Sequence, residues 1–157
     1  METAATDNSS PAASPHSNAI ALWNPNAAAL WSIIFTPLFG AYIHALNWRA
    51  LGDDERERAS MTWVVGAAAF LLLFLLIEVV VPNSRAGDEA SRTIEFVFLV
   101  VWYFVAARGQ VKVIQARYGN DYARQSWKKP LLMGLAGFGI YIALVVAIGI
   151  AIGLRNL

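Results

Sequence analysis

Residues 131–154, LLMGLAGFGIYIALVVAIGIAIGL, form twenty-four consecutive positions without a charge. At ~1.5 Å per residue a helix of that length crosses a ~30 Å hydrocarbon core. Two more runs approach the same length. Residues 61–81, MTWVVGAAAFLLLFLLIEVVV, hold one charge, Glu78, with Trp63 at one end and Pro82-Asn83 closing the other. A third run opens at Ile94 and reaches bilayer length when carried through Arg108 and Lys112 to residue 114, both cations snorkelling to the surface. A single water-soluble core cannot bury three such runs. Composition agrees: 57% of residues are apolar and 15% charged, against roughly 45–50% and 25% in soluble domains. The expected fold is therefore an all-α, polytopic helical membrane bundle.

A fourth run, residues 27–46, is apolar but interrupted. Pro37 removes a backbone donor and turns Thr36 away from helical geometry, so the helix kinks or breaks there. Two forms stay open, a kinked spanning helix, which the sequence slightly favours, and a hairpin that dips in and returns. Either way the freed backbone groups need protein or water around them. Residues 1–19 are Ala-, Ser-, Thr-, Asn- and Pro-rich and are expected to be a disordered tail, His16 included. With no basic residue and no apolar stretch, they do not read as a signal peptide. The membrane domain then occupies residues 20–157.

Several functions are disfavoured by what the chain lacks. It has no cysteine, hence no disulfide, thiolate metal site or cysteine nucleophile. A net charge of +1 offers no basic face for nucleic acid. No phosphate-cradling glycine loop, nucleophile elbow or HExxH helix is present. No cofactor or metal and no enzymatic activity are expected.

The distribution of basic residues predicts orientation. Nine of them lie in residues 47–60 (Arg49, Arg56, Arg58) and 108–130 (Arg108, Lys112, Arg117, Arg124, Lys128, Lys129), against Arg85 and Arg92 in 82–93. Positive residues stay inside, so 47–60 and 108–130 are expected in the cytoplasm, with 82–93 and the C-terminus outside. The six cations of 108–130, with Tyr118, Tyr122 and Trp127, also form an interfacial stretch able to attract anionic lipid. Plain topology determination explains the same charges.

Glu78 and Glu95 close one helix and open the next at similar depth. Intramembrane acids suggest a proton relay or cation site, although Arg92 paired with Glu95 at i, i+3 would explain that acid structurally. Gly139, Ala143, Ala147 and Ala151 recur at every fourth position and predict close helix packing, within the chain or in a homo-oligomer. His44 stands on an apolar stretch without a companion ligand and reads as a satisfied bundle histidine.

The block WNPNAAALWSIIFTPLFGAYIHALNWRALG, residues 23–52, sets Asn24-Pro25, Trp31-Ser32, Thr36-Pro37-Leu38-Phe39-Gly40 and Asn47-Trp48 at defined spacings. It resembles a signature of small bacterial inner-membrane proteins, in some of which a soluble module precedes the block. The resemblance implies a small helical bundle in the bacterial inner membrane and carries no activity with it. Framed by Trp23 and Trp48 and broken at its centre, the block is expected to form a recognition surface for a protein partner. Its contact residues would be Trp23, Asn24, Pro25, Trp31, Thr36, Pro37, Phe39, Gly40, Asn47 and Trp48. The leading functional expectation is a binding protein, either an accessory subunit or an immunity-type protein against a pore-forming toxin. The alternative is an oligomeric transporter or channel component using Glu78 and Glu95.

Overall fold

The computed structural model describes residues 20–80, 85–120 and 122–155; the tail 1–19 lies outside them. The helices are α1 (Pro25–Ala50), α2 (Asp54–Val80), α3 (Arg85–Trp102), a π-helical turn (Tyr103–Ala107), α4 (Arg108–Tyr118) and α5 (Lys128–Arg155). α3, the π turn and α4 run on as one long helix, so four helical stretches, with α1 counted as one across its break at Thr36, are long and apolar enough by length and composition to cross a membrane. The protein is an all-α, multi-pass membrane bundle.

α1 decides the architecture. Asn24 caps it, its side-chain oxygen accepting from the amides of Asn26 and Ala27 at 3.0 and 3.3 Å, and Pro25 occupies the first turn, where its missing donor costs nothing. Eleven residues later Thr36 adopts φ 74°, ψ 160°. A β-branched residue in that region is strained by about 1–3 kcal/mol, and the following Pro37 cannot donate back to the first arm. The chain reverses here. Three contacts record the reversal: Asn47 bonds the backbone of Trp23, His44 Nε2 lies 3.3 Å from the Pro25 carbonyl, and Gly40 meets Ala28 and Ser32. Each arm, 25–35 and 37–50, is roughly 15–20 Å long, about half the hydrocarbon thickness. The run favoured as a spanning helix is thus a re-entrant hairpin, because a reversal at Thr36 puts both ends at one face of the bundle.

That face, the base, also holds the loop after α4. The Leu22 amide donates to the Ala123 carbonyl and the Gln125 amide to the Leu22 carbonyl, both at 2.9 Å. α2 leaves the base, α3–α4 returns to it, and α5 leaves again. The two basic loops therefore share one face of the bundle. The hairpin sits among the three crossing helices and supplies most of the buried residues, among them Phe39, Gly40, Ile43, His44, Asn47 and Trp48. On the outside, Leu72, Leu76, Ile140, Val146 and Leu154 are exposed as a lipid-facing apolar surface.

α5 joins the bundle by an unexpected face. Gly139, Ala143, Ala147 and Ala151 are all exposed, and a Cβ on Gly139 would meet nothing within 4 Å. The expected ridge packs nothing inside this chain. Instead Gly134 lets α5 approach, since a Cβ there would stand 3.1 Å from Phe39 and 3.2 Å from Phe35, while Phe138 meets Phe35 edge-on at 6.5 Å. At about 100° per residue the 139–143–147 ridge is centred about 160° from the face of Gly134 and Phe138.

Candidate functional site

The hairpin base is closed by a buried polar clamp. Asn47 Oδ1 accepts from the Trp23 amide at 2.9 Å. Its Nδ2 donates to the Trp23 carbonyl at 2.9 Å and to Gln110 Oε1 at 3.1 Å. Gln110 Nε2 donates in turn to the His44 carbonyl at 2.8 Å. Asn47 and Gln110 are fully buried, and no buried side-chain polar atom among the described residues lacks a partner. Such a network, complete at low dielectric, fixes one geometry. It leaves no reactive group to spare.

Gln110 reaches the clamp because of the π turn. Trp102, Ala107, Gln110 and Ile114 are all buried against the hairpin, and the extra residue in the turn brings Trp102 and Ala107, five apart, onto one face. Trp102 lies under Gly40, with His44 against it at 5.6 Å. The sequence reading missed Gln110, Ser32, Trp102 and Gly134. For Gln110 the signal was present: an uncharged polar residue four before Ile114, on the less charged side of a basic segment.

Three cavities flank the hairpin: one of about 390 Å³ lies between the first arm and residues 99–104, and two others meet at the tip. Of these two, one is a groove of about 430 Å³ between the second arm and α5, lined almost entirely by apolar side chains, with Trp23 and Lys129 towards the base and Thr36 towards the tip. The other, about 380 Å³, includes Ser32, Thr36, Pro37, Arg92, Glu95 and Tyr141 in its lining, with apolar residues of α2 and α3 around them. Strained Thr36 borders both. Both volumes lie within the ordinary range for ligand sites, ~300–1,000 Å³.

The expected contact residues divide accordingly. Pro25, Phe39, Gly40, Asn47 and Trp48 are buried inside the chain, so they are not a surface for a partner. They serve to fold the hairpin, and Arg56 covers the Trp48 ring at 4.9 Å. Trp23, Asn24, Trp31, Thr36 and Pro37 are half-buried; Trp23 Nε1 donates to the Ser126 carbonyl at 3.2 Å, and Trp31 stacks on Phe35 at 5.8 Å.

The side chain of Glu78 lies outside the described residues. Glu95 is exposed, and the described ion pairs do not include the expected one with Arg92. They are Arg49–Glu57 and Asp53–Arg56 at the base, where the Glu57 carboxylate raises the Arg49 pKa above its ordinary value. Arg108, Lys112, Arg117, Arg124, Lys128 and Lys129 are exposed, with Arg108 over Phe104 and Arg124 over Tyr122. Among the described residues no cluster of His, Asp or Glu could hold a metal ion. No family model, curated protein or solved structure matches this chain; the resemblance drawn from residues 23–52 rests on those residues alone.

Proposed function

We propose that the protein is a non-enzymatic subunit of a bacterial inner membrane that works by holding another membrane protein through helix contact. α5 is its docking helix. The outer face of α5 carries the reading: the small residues Gly139, Ala143 and Ala147 are exposed, turned away from the face on which Gly134 and Phe138 meet the hairpin. Small residues at this spacing allow two helix backbones to approach closely, the main source of association where apolar surface gains nothing by leaving lipid. Supporting it, the buried polar groups are used in closing the hairpin and form no reactive constellation. The occupant is a transmembrane helix with a small or β-branched face. An accessory subunit and an immunity-type protein against a pore former are both forms of this role. On this reading the hairpin base and basic loops face the cytoplasm and the C-terminus the outside, an orientation supported by the excess of basic residues in those loops.

The absence of native cysteine makes the test clean. Ala143→Cys and Ala147→Cys should form disulfide-linked adducts in native membranes with a partner bearing an introduced or native thiol. Ala143→Leu in the Ala147→Cys background should reduce that adduct about tenfold, the effect of ~1.4 kcal/mol of lost packing. An adduct of twice the chain mass identifies a second copy. Equal adducts from all faces of α5, or none, refute the reading.

One observation favours a second reading as a transport component: Glu95 lines the cavity above the broken hairpin tip. On that reading purified protein in liposomes conducts cations, and Glu95→Gln lowers the flux severalfold. A pure binder shows no flux.

A further inference from the structure

The groove on the inner side of α5 has a direction and a charged end. It runs from Leu46 and Lys129 at the base to Thr36 at the hairpin tip, ten residues of helix or roughly 15 Å. That is the depth of one leaflet, half of a ~30 Å core. No carboxylate is among its lining residues, and Lys129, the second residue of α5, stands where the apolar stretch of α5 begins, at headgroup level. Lys128 and Arg124 are exposed at the same base. The groove is open beside Gly137, which lines it: a Cβ there would meet nothing within 4 Å.

We propose that this groove is a binding site for one anionic phospholipid, with an acyl chain between the second hairpin arm and α5 and its phosphate paired with Lys129. The match is one of length, polarity and charge. A protein segment fits it less well, because an extended or helical backbone entering at the base would place unpaired amides against apolar walls. The lipid supports the hairpin where the chain itself leaves it uncovered, on the side opposite the partner-facing ridge of α5.

The experiment reconstitutes the full chain in phosphatidylcholine doped with phosphatidylglycerol, extracts it gently and counts bound lipid by native mass spectrometry. Wild type should keep one phosphatidylglycerol. Gly137→Leu, whose Cβ enters open space and whose side chain narrows the groove, should lose it. Lys129→Gln should reduce the preference for phosphatidylglycerol over phosphatidylcholine about fivefold, the factor expected for one basic residue at the surface. Ile150→Ala, exposed on α5 away from the groove lining, should leave phosphatidylglycerol retention at the wild-type level. Circular dichroism of each variant checks that the helices persist. Retention by Gly137→Leu equal to wild type overturns the site. So does sensitivity to Lys129→Gln alone, which would mean headgroup attraction at the surface without an inserted chain. Retention of both lipids equally by wild type removes the anionic specificity and with it the proposal.

Discussion

Gly40→Val is expected to destroy the hairpin and leave little folded protein. Even one added carbon at Gly40 would stand 1.9 Å from Ser32 Oγ and 2.6 Å from the Trp102 ring, with the Ala28 carbonyl at 3.1 Å. The backbone carbonyl cannot give way without opening the arms. Ser32 is held by its bond to Ala28 at 2.9 Å, and Trp102 is fully buried with His44 on it. Overpacking a core usually costs about 1–3 kcal/mol; here two neighbours are fixed and one is backbone, so the upper end is the expectation for Gly40→Ala and more for valine. The helix-propensity gain of replacing glycine, about 0.5–1 kcal/mol, is too small to reverse the sign. Gly66→Ala and Gly109→Ala, at helical sites with nothing within 4 Å, should show that gain alone. Denaturant titration in detergent micelles measures all four. Ser32→Ala added to Gly40→Ala should recover part of the loss by removing the nearest atom. Equal stability of Gly40→Ala and wild type would mean that the arms do not approach each other here.

The sequence made the membrane class and three of the helices legible because bilayer solvation acts on each run separately: length and charge of 61–81 or 131–154 suffice. It marked the break at Thr36-Pro37 for the same local reason. Whether the chain reverses there is decided elsewhere. The reversal depends on Asn47 meeting Trp23, twenty-four positions away, and on Gln110, sixty-three positions from Asn47; no periodicity within residues 27–46 encodes either contact. The Trp-framed block therefore looked like an outward recognition surface, when half of its named residues fold the hairpin. The small-residue ridge of α5 was legible as a ridge. Its direction was not, since that depends on Gly134 accommodating the rings of Phe35 and Phe39. Glu95 was visible as an unusual acid, but its place on a cavity rim is a product of the hairpin depth.

Asn47→Leu should separate the two ends of α1 while leaving the three crossing helices inserted. Leucine matches asparagine in the number and branching of its side-chain heavy atoms, so the change removes polarity without opening a cavity. It strands three groups at once: the Trp23 amide, the Trp23 carbonyl and the Gln110 side-chain oxygen. Each unsatisfied buried group costs about 1–3 kcal/mol, so the expected destabilisation is about 3–5 kcal/mol if only part of the set relaxes towards water. The first arm, 25–35, is held at its base by this clamp and by the pairing of Leu22 with residues 123–125; with the clamp gone, that edge pairing remains with the Trp23–Ser126 bond and the His44–Pro25 contact. A single cysteine at Ile20, exposed in the native chain, reports on the arm. An impermeant maleimide should label Ile20→Cys from the same side as Gly52→Cys in the otherwise wild-type protein, since both stand at the base. In the Asn47→Leu background the Ile20 position should label faster or from both sides. Gln110→Leu alone should cost less, because Asn47 keeps both bonds to Trp23. Adding Gln110→Leu to Asn47→Leu should cost less than the sum of the two, with a coupling of about 0.5–3 kcal/mol for residues in one network. Additive losses with unchanged labelling would show that Asn47 and Gln110 act independently, and that strain at Thr36 is balanced by packing of Phe39, Ile43 and Trp48 instead of by the clamp.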